Sequence, residues 1–289
     1  MARRAYDRRT GRCYADLVDV CETVSKSQIA TFQRDGAVVL RSVLSPEEIC
    51  TLTRGIETNL ASPSSRAIVA SAGDDPGYFI EDFCNWSTND EYREIACNSA
   101  LPEAAALLMA SGSVQLYHDH MLTKEPRTRQ RTPWHQDQPY YNVSGHQNVS
   151  FWIPVDPVRQ ESTLTFVAGS HLGPWLIPRT FMDQQARWFP EGALQELPDV
   201  EADRARYEII GWELEPGDAV AFHMLTLHAA AGVDQDRRRR VFSVRYLGDD
   251  MRHAPRQWTT SPEFPGLRES LPEGAPLNDP RFPVVWPRS

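Results

Sequence analysis

Thr132-Pro133-Trp134-His135-Gln136-Asp137-Gln138-Pro139-Tyr140-Tyr141 is the stretch around which the rest of this chain can be organised. His135 and Asp137 form a His-x-Asp pair, and on an extended strand side chains at i and i+2 project from the same face. An imidazole and a carboxylate so placed can grip one divalent metal from one side. Two ligands alone do not make a metal centre. A histidine from far along the chain would complete a two-histidine, one-carboxylate set, which leaves coordination positions open for other molecules.

Five histidines lie downstream: His146, His171, His223, His228 and His253. Glu215-Pro216-Gly217-Asp218 reads as a turn, and an apolar strand follows it and ends in His228. His228 stands 93 positions after His135 (228 minus 135), a separation that suits opposite strands of one barrel. His223 competes with it. The two are an odd number of positions apart, so a regular strand would turn them to opposite faces, and a bend between them would relax that argument. His171, in Gly169-Ser170-His171, reads as a residue that ties down a turn.

Eleven positions beyond His228 comes Arg239, in Arg237-Arg238-Arg239-Arg240-Val241-Phe242-Ser243-Val244-Arg245-Tyr246. Most of the Arg237–Arg240 run reads as a solvated turn, with one member entering the strand. A guanidinium carried inward is expensive to bury without an anionic partner, and its planar fork matches a carboxylate. A carboxylate is the natural guest for Arg239.

Taken in order, TPWHQDQPYY, FWIPVD, the Gly169-Ser170-His171 turn, Pro-Gly-Asp before an apolar strand, the distal histidine and RRVFSVRY resemble the phytanoyl-CoA dioxygenase family. The resemblance runs from about Ser27 to Met251. It implies a mainly β chain (α+β): a double-stranded β-helix, the cupin-type jelly roll, flanked by N-terminal helices. It also implies Fe(II), 2-oxoglutarate as cosubstrate and O2, with His135, Asp137 and His228 at the positions of the metal ligands. Arg239 matches the arginine that binds the cosubstrate carboxylate. Gln136, Trp152 and His120 fall where the family contacts the cosubstrate. Two departures stand out: Ala230 and Val233 occupy positions where the family often has Ser and Asn. Asp137 keeps the carboxylate that related halogenases replace with a small residue, which favours hydroxylation of an unactivated C–H, with 2-oxoglutarate converted to succinate and CO2. Desaturation, cyclisation or dealkylation on the same iron is the alternative, and a non-catalytic cupin-like binding protein is a third reading.

The bulk properties fit this frame. A 289-residue chain can be one large β domain. Its net charge of -9 argues against nucleic acid as a partner, because phosphate binding favours a basic surface. Five cysteines, odd in number and without a C-x-x-C, form neither a disulfide framework nor a zinc cluster. With no apolar run of 18 residues and no signal-like apolar core after Met1, membrane partners are not expected and the cytoplasm is the expected location. A small-molecule substrate is the expected partner, while the oligomeric state is not encoded in any pattern we find.

Residues 1–26 read as an N-terminal arm, and 27–251 as one domain. Its helical part runs to about 112 and its jelly-roll core over 113–251, with 252–289 a proline-rich tail packed on the domain. Ser27–Arg34 is a helix ended by Gly36, and Ala37–Leu40 a buried strand. Ser45 caps a second helix, with Pro46 at its first position and Glu48 completing a capping box. Residues 61–92 read as irregular, able to line a pocket. Residues 91–110 read as helical, in two pieces parted near Pro102 with Asn98 and Ser99 as caps. Strands are expected at Val114–Thr123, Val149–Asp156, Thr163–Val167, Tyr207–Leu214, Ala219–Leu225 and Arg239–Leu247. The long connection 172–206 reads as a lid or substrate element, with Arg159, Arg179 and Trp188 on or near it. Tyr140 and Tyr141 face either substrate or core.

Overall fold

Ser25 and Ser45 open two helices by the same device, each accepting a backbone N–H from the residue three positions on, whose own side chain reaches back. They start α1 (Lys26–Asp35) and α2 (Pro46–Ala61). Gly36 ends α1 at φ 77°, and a Cβ there would stand 2.4 Å from His171 Nδ1, so both conformation and space demand glycine. The computed structural model describes residues 23–177, 194–233 and 236–288.

The chain continues through β1 (Ala37–Leu40), β2 (Ile68–Val69), β3 (Phe79–Phe83), α3 (Asp90–Asn98), α4 (Leu101–Met109) and β4 (Val114–Lys124). It then runs through β5 (Thr132–His135), β6 (Val143–Ser144), β7 (Asn148–Pro154), β8 (Leu164–Val167) and β9 (Ile209–Gly211). The rest is β10 (Ala219–Phe222), β11 (His228–Ala230), β12 (Arg239–Leu247), β13 (Arg252–His253), α5 (Leu267–Ser270) and β14 (Val284–Trp286). The segment expected to be irregular thus contains two strands, β2 and β3. α3 and α4 part as expected, but Asn89 caps α3, and Pro102 sits inside the first turn of α4, where its missing N–H costs nothing. Of the 172–206 connection, residues 178–193, with Arg179 and Trp188, lie outside the described residues.

Two antiparallel sheets face each other. The major one has the order β1-β10-β7-β12-β4-β3-β2, with β14 also on β4; the minor one has the order β5-β11-β8-β9. This is the jelly-roll, double-stranded β-helix architecture expected from the sequence. β12 shows how the layers separate. Phe242, Val244 and Tyr246 pack against the helices with Leu52, Ile95 and Leu101. The alternate residues of β12 turn the other way, and Val241 packs with Trp152, Val220, Leu164 and Phe166 between the sheets. Burying a side chain such as Phe242 contributes roughly 1.5–3 kcal/mol. Both faces of the major sheet are therefore covered, one by helices and one by the minor sheet. The tail joins the body directly: β14 pairs with β4, and Phe264, Leu267 and Phe282 pack on Tyr117 and Tyr141.

Candidate active site

His135 is the last residue of β5 and His228 the first of β11, and antiparallel register sets them opposite each other. Their rings lie 4.1 Å apart. Asp137 reaches the same point differently from the strand argument: β5 stops at His135, and Asp137 adopts an αR conformation that starts a short turn over Gln138–Tyr140. Its Oδ1 lies 3.4 Å from His135 Nε2 and 3.8 Å from His228 Nε2. Ligating atoms of the three residues all fall within 4.8 Å of one another.

Each imidazole is held by a backbone carbonyl two residues earlier. His135 Nδ1 meets Pro133 O at 2.8 Å and His228 Nδ1 meets Thr226 O at 2.9 Å. A carbonyl only accepts, so both rings carry their proton on Nδ1 and present a bare Nε2, the form that binds a metal. Burial, reinforced by His135, pushes His228 down to about 3. Burial pushes the Asp137 carboxyl upward, but the Arg245 guanidinium beside it outweighs burial and holds the group well below the usual carboxylate range. Two neutral nitrogen donors and one ionised oxygen are a donor set that fits a first-row divalent ion such as Fe(II).

The triad opens on a cavity of about 310 Å³ between the sheets. Its wall is mostly apolar, with Phe79, Leu122, Trp152, Leu164 and Phe222, and its polar members include Glu81, His120, Ser243 and Arg245. Tyr140 and Tyr141 both line it. So does Ser261, from the tail, which is strapped down where Trp258 Nε1 donates to Pro139 O and Arg256 Nε to Tyr141 O. His120 stacks on Phe83 at 4.0 Å, and its Nε2 is engaged by Glu81 Oε2 at 3.2 Å.

Arg239 lies behind Trp152, its guanidinium 5.6 Å from that ring, and donates to the Ser162 carbonyl. Among the described residues no carboxylate pairs with it, and burial alone pushes it down to about 10. Lys124 is its register partner on β4. Burial, then the Arg239 charge, pushes Lys124 well below the ordinary lysine value; its Nζ donates to the carbonyls of Gln130 and Ala231, at 2.7 and 3.2 Å, and lies 4.6 Å from the centre of the Phe79 ring. Two buried cations side by side fit a carboxylate, and among the described residues none is ion-paired with either of them. 

One expected site residue is placed elsewhere. Gln136 points out of the cavity: its Nε2 donates to Pro174 O and Leu225 O, and its Oε1 accepts from Leu176 N at 2.8 Å. One position from each ligand, it takes the opposite side of the chain. His223 is also outside. β10 ends at Phe222 and a turn follows, so His223 and His228 never share a strand and parity between them has no meaning. His223 Nε2 donates to His146 O at 2.9 Å and its Nδ1 accepts from Leu225 N. His171 ties its turn to Gln33 O, as expected. Lys124, Arg245, Ser150 and Glu81 went unnoticed in the sequence. Inward parity on β12, counted from Arg239, would have found Ser243 and Arg245.

Comparison with known proteins agrees with this geometry. A nematode protein (Caenorhabditis elegans) described as a probable phytanoyl-CoA dioxygenase is 26% identical over 143 residues, which are 46% of this chain and 43% of that protein. The match thus spans less than half of that relative's length. Among solved structures, the non-haem α-ketoglutarate-dependent carbocyclase SnoK from nogalamycin biosynthesis is similar with TM-score 0.71 at 24% identity, covering 91% of this chain and 96% of that one. The epimerase SnoN of the same biosynthesis superposes with TM-score 0.70 at 23% identity over 90% of this chain and 97% of its own. EctD from S. alaskensis, with 2-oxoglutarate and 5-hydroxyectoine, gives 0.64 at 19% over 88% and 86%. These neighbours share the fold. The family model for phytanoyl-CoA dioxygenase matches residues 32–241, a span that holds the triad and Arg239. Iron, 2-oxoglutarate and O2, the cofactors expected from the sequence, are those of that family. The chain belongs to the phytanoyl-CoA dioxygenase family of 2-oxoglutarate-dependent oxygenases.

Proposed function

We propose that the protein is an Fe(II)/2-oxoglutarate-dependent dioxygenase that hydroxylates an unactivated C–H of a small organic substrate, with 2-oxoglutarate converted to succinate and CO2. The observation that carries this reading is one cavity with a three-donor metal cluster at its wall and Trp152 in its lining, with the Arg239 guanidinium against that ring and Lys124 beside Arg239 in register. His135, Asp137 and His228 would hold the iron, which when bound supplies the oxidising chemistry. Arg239 and Lys124 would hold the distal carboxylate of 2-oxoglutarate, Lys124 taking over the contact that Ala230 cannot make. Trp152, Phe222 and Leu164 exclude water from the reacting end and orient an apolar part of the substrate. A cytoplasmic location belongs to the same reading; among the described residues no helix is long and apolar enough to cross a membrane.

A second outcome on the same iron is favoured by two neighbours that are named as a carbocyclase and an epimerase. Product mass separates the outcomes: hydroxylation adds one oxygen, cyclisation or desaturation removes two hydrogens, and epimerisation leaves mass unchanged. The test is a succinate-release screen over small-molecule libraries, with mass analysis of every hit. Fe(II)-loaded, folded protein that shows no weak visible charge-transfer band with 2-oxoglutarate under anaerobic conditions would overturn the reading.

A further inference from the structure

Asp137 has two oxygens with separate surroundings. Oδ1 faces both histidine Nε2 atoms, at 3.4 and 3.8 Å. Oδ2 faces Arg245 Nη2 at 3.4 Å and Ser150 Oγ at 3.3 Å. Arg245 and Ser150 are register partners on β12 and β7, so a single rung of the major sheet delivers both donors to one carboxylate oxygen. Tyr141 fixes the guanidinium from the other side, its hydroxyl 3.2 Å from Arg245 Nε. All of these side chains are buried.

We infer that Arg245 is a positioning residue which, with Ser150, holds Asp137 so that it meets the metal through Oδ1 alone. This rests on the functional reading above. A carboxylate free to swing can place both oxygens on one ion and take a position that an incoming ligand needs. Two donors on Oδ2, one of them charged, oppose that swing, because a charge-assisted hydrogen bond is roughly twice as strong as a neutral one. Held in this way, Asp137 would leave room at a bound ion for the keto acid, and partners of this kind around metal ligands commonly tune affinity. The same contact explains how the fold tolerates a buried arginine so close to a cation site: Asp137 supplies its countercharge.

The test is an anaerobic equilibrium titration with Fe(II), then with 2-oxoglutarate, on the full chain, Arg245→Gln and Ser150→Ala. Arg245→Gln is expected to bind Fe(II) at least as tightly as the unaltered protein, since a repelling cation is gone and a second carboxylate oxygen is freed. Its affinity for 2-oxoglutarate should fall about tenfold, with a weakened visible band. Ser150→Ala should show the same pattern to a lesser degree and carries the test where Arg245→Gln does not fold. Parallel weakening of both ligands, as a merely structural role predicts, or no change in either, would overturn the inference. An unaltered protein that forms no Fe(II)–2-oxoglutarate band would instead overturn the functional reading.

Discussion

Lys124 and Arg239 are paired across β4 and β12, two buried cations in direct register with no carboxylate between them among the described residues. The Arg239 charge adds to burial in pushing Lys124 down, and an anion arriving from outside would suit both groups. Replacing Lys124 with Met relieves a buried charge but also removes two hydrogen bonds to carbonyls. These effects oppose each other, so ligand-free stability should change by no more than about 1 kcal/mol. Binding of 2-oxoglutarate should nevertheless weaken about tenfold or more, since about 1.4 kcal/mol of a charge-assisted contact is lost. Arg239→Met should weaken it further. Calorimetric titration of the anaerobic Fe(II) protein checks both, and wild-type affinity in Arg239→Met would contradict the assignment.

The metal cluster makes its own prediction. His228→Ala removes one of three converging donors and should abolish stoichiometric Fe(II) binding, and Asp137→Ala should do the same. His223→Ala should retain one metal per chain, because that ring is spent on His146 O and Leu225 N. Metal content after anaerobic loading and gel filtration decides the matter. Retention by His228→Ala and loss by His223→Ala would reverse the ligand assignment.

Much of this site was legible because local rules and long-range needs agreed. Gly36 and Ser45 act through neighbours a few residues away, and their effects can be read without the fold. His228 and Arg239 were legible because a turn, an apolar run and a buried-charge argument bracket them. Parity from Arg239 reaches Arg245 as well, but Lys124 and Glu81 were not legible. They sit on strands covered on both faces, one by helices and one by the minor sheet, so alternation reveals two faces without saying which of them holds the cavity. Asp137 was found for a reason that needed correcting, since a turn rather than a strand pleat brings it beside His135. Gln136 is a cosubstrate contact only by family resemblance; its amide here holds three backbone groups, and adjacency in sequence to two ligands says nothing of the side on which that amide falls.

Acid sensitivity should arise from the buried histidines. Burial, then the neighbouring His171, pushes His223 down to about 4. The cause is visible in its bonding: Nδ1 accepts the Leu225 N–H, so a proton added there would face another donor. The unfolded chain takes up a proton near 6.5, and the folded protein does so only near 4. Between those values the unfolded state holds more protons, so stability falls as pH drops through that window and is fully present above it. The shift corresponds to at most about 3 kcal/mol. Metal-free His223→Gln should lose less stability than the unaltered protein between pH 7 and about 4.5. Denaturant midpoints across that range provide the measurement, and identical pH slopes would contradict it.

Gln136 separates a structural role from a cosubstrate role. Its amide holds three backbone groups, the carbonyls of Pro174 and Leu225 and the N–H of Leu176, and so pins the start of the long connection to the turn before β11. Gln136→Ala leaves the buried Leu176 N–H without its acceptor, which costs roughly 1–3 kcal/mol on its own. The thermal midpoint should fall accordingly. Affinity for 2-oxoglutarate in the folded, iron-loaded variant should stay within about twofold of the unaltered protein, a change of under 0.5 kcal/mol. Gln136→Glu should be worse for stability, because its carboxylate would face two carbonyl oxygens with no proton to offer them. A Gln136→Ala variant with unchanged stability and strongly weakened 2-oxoglutarate binding would return Gln136 to the cosubstrate, and would mean that the amide turns inward when the site is filled.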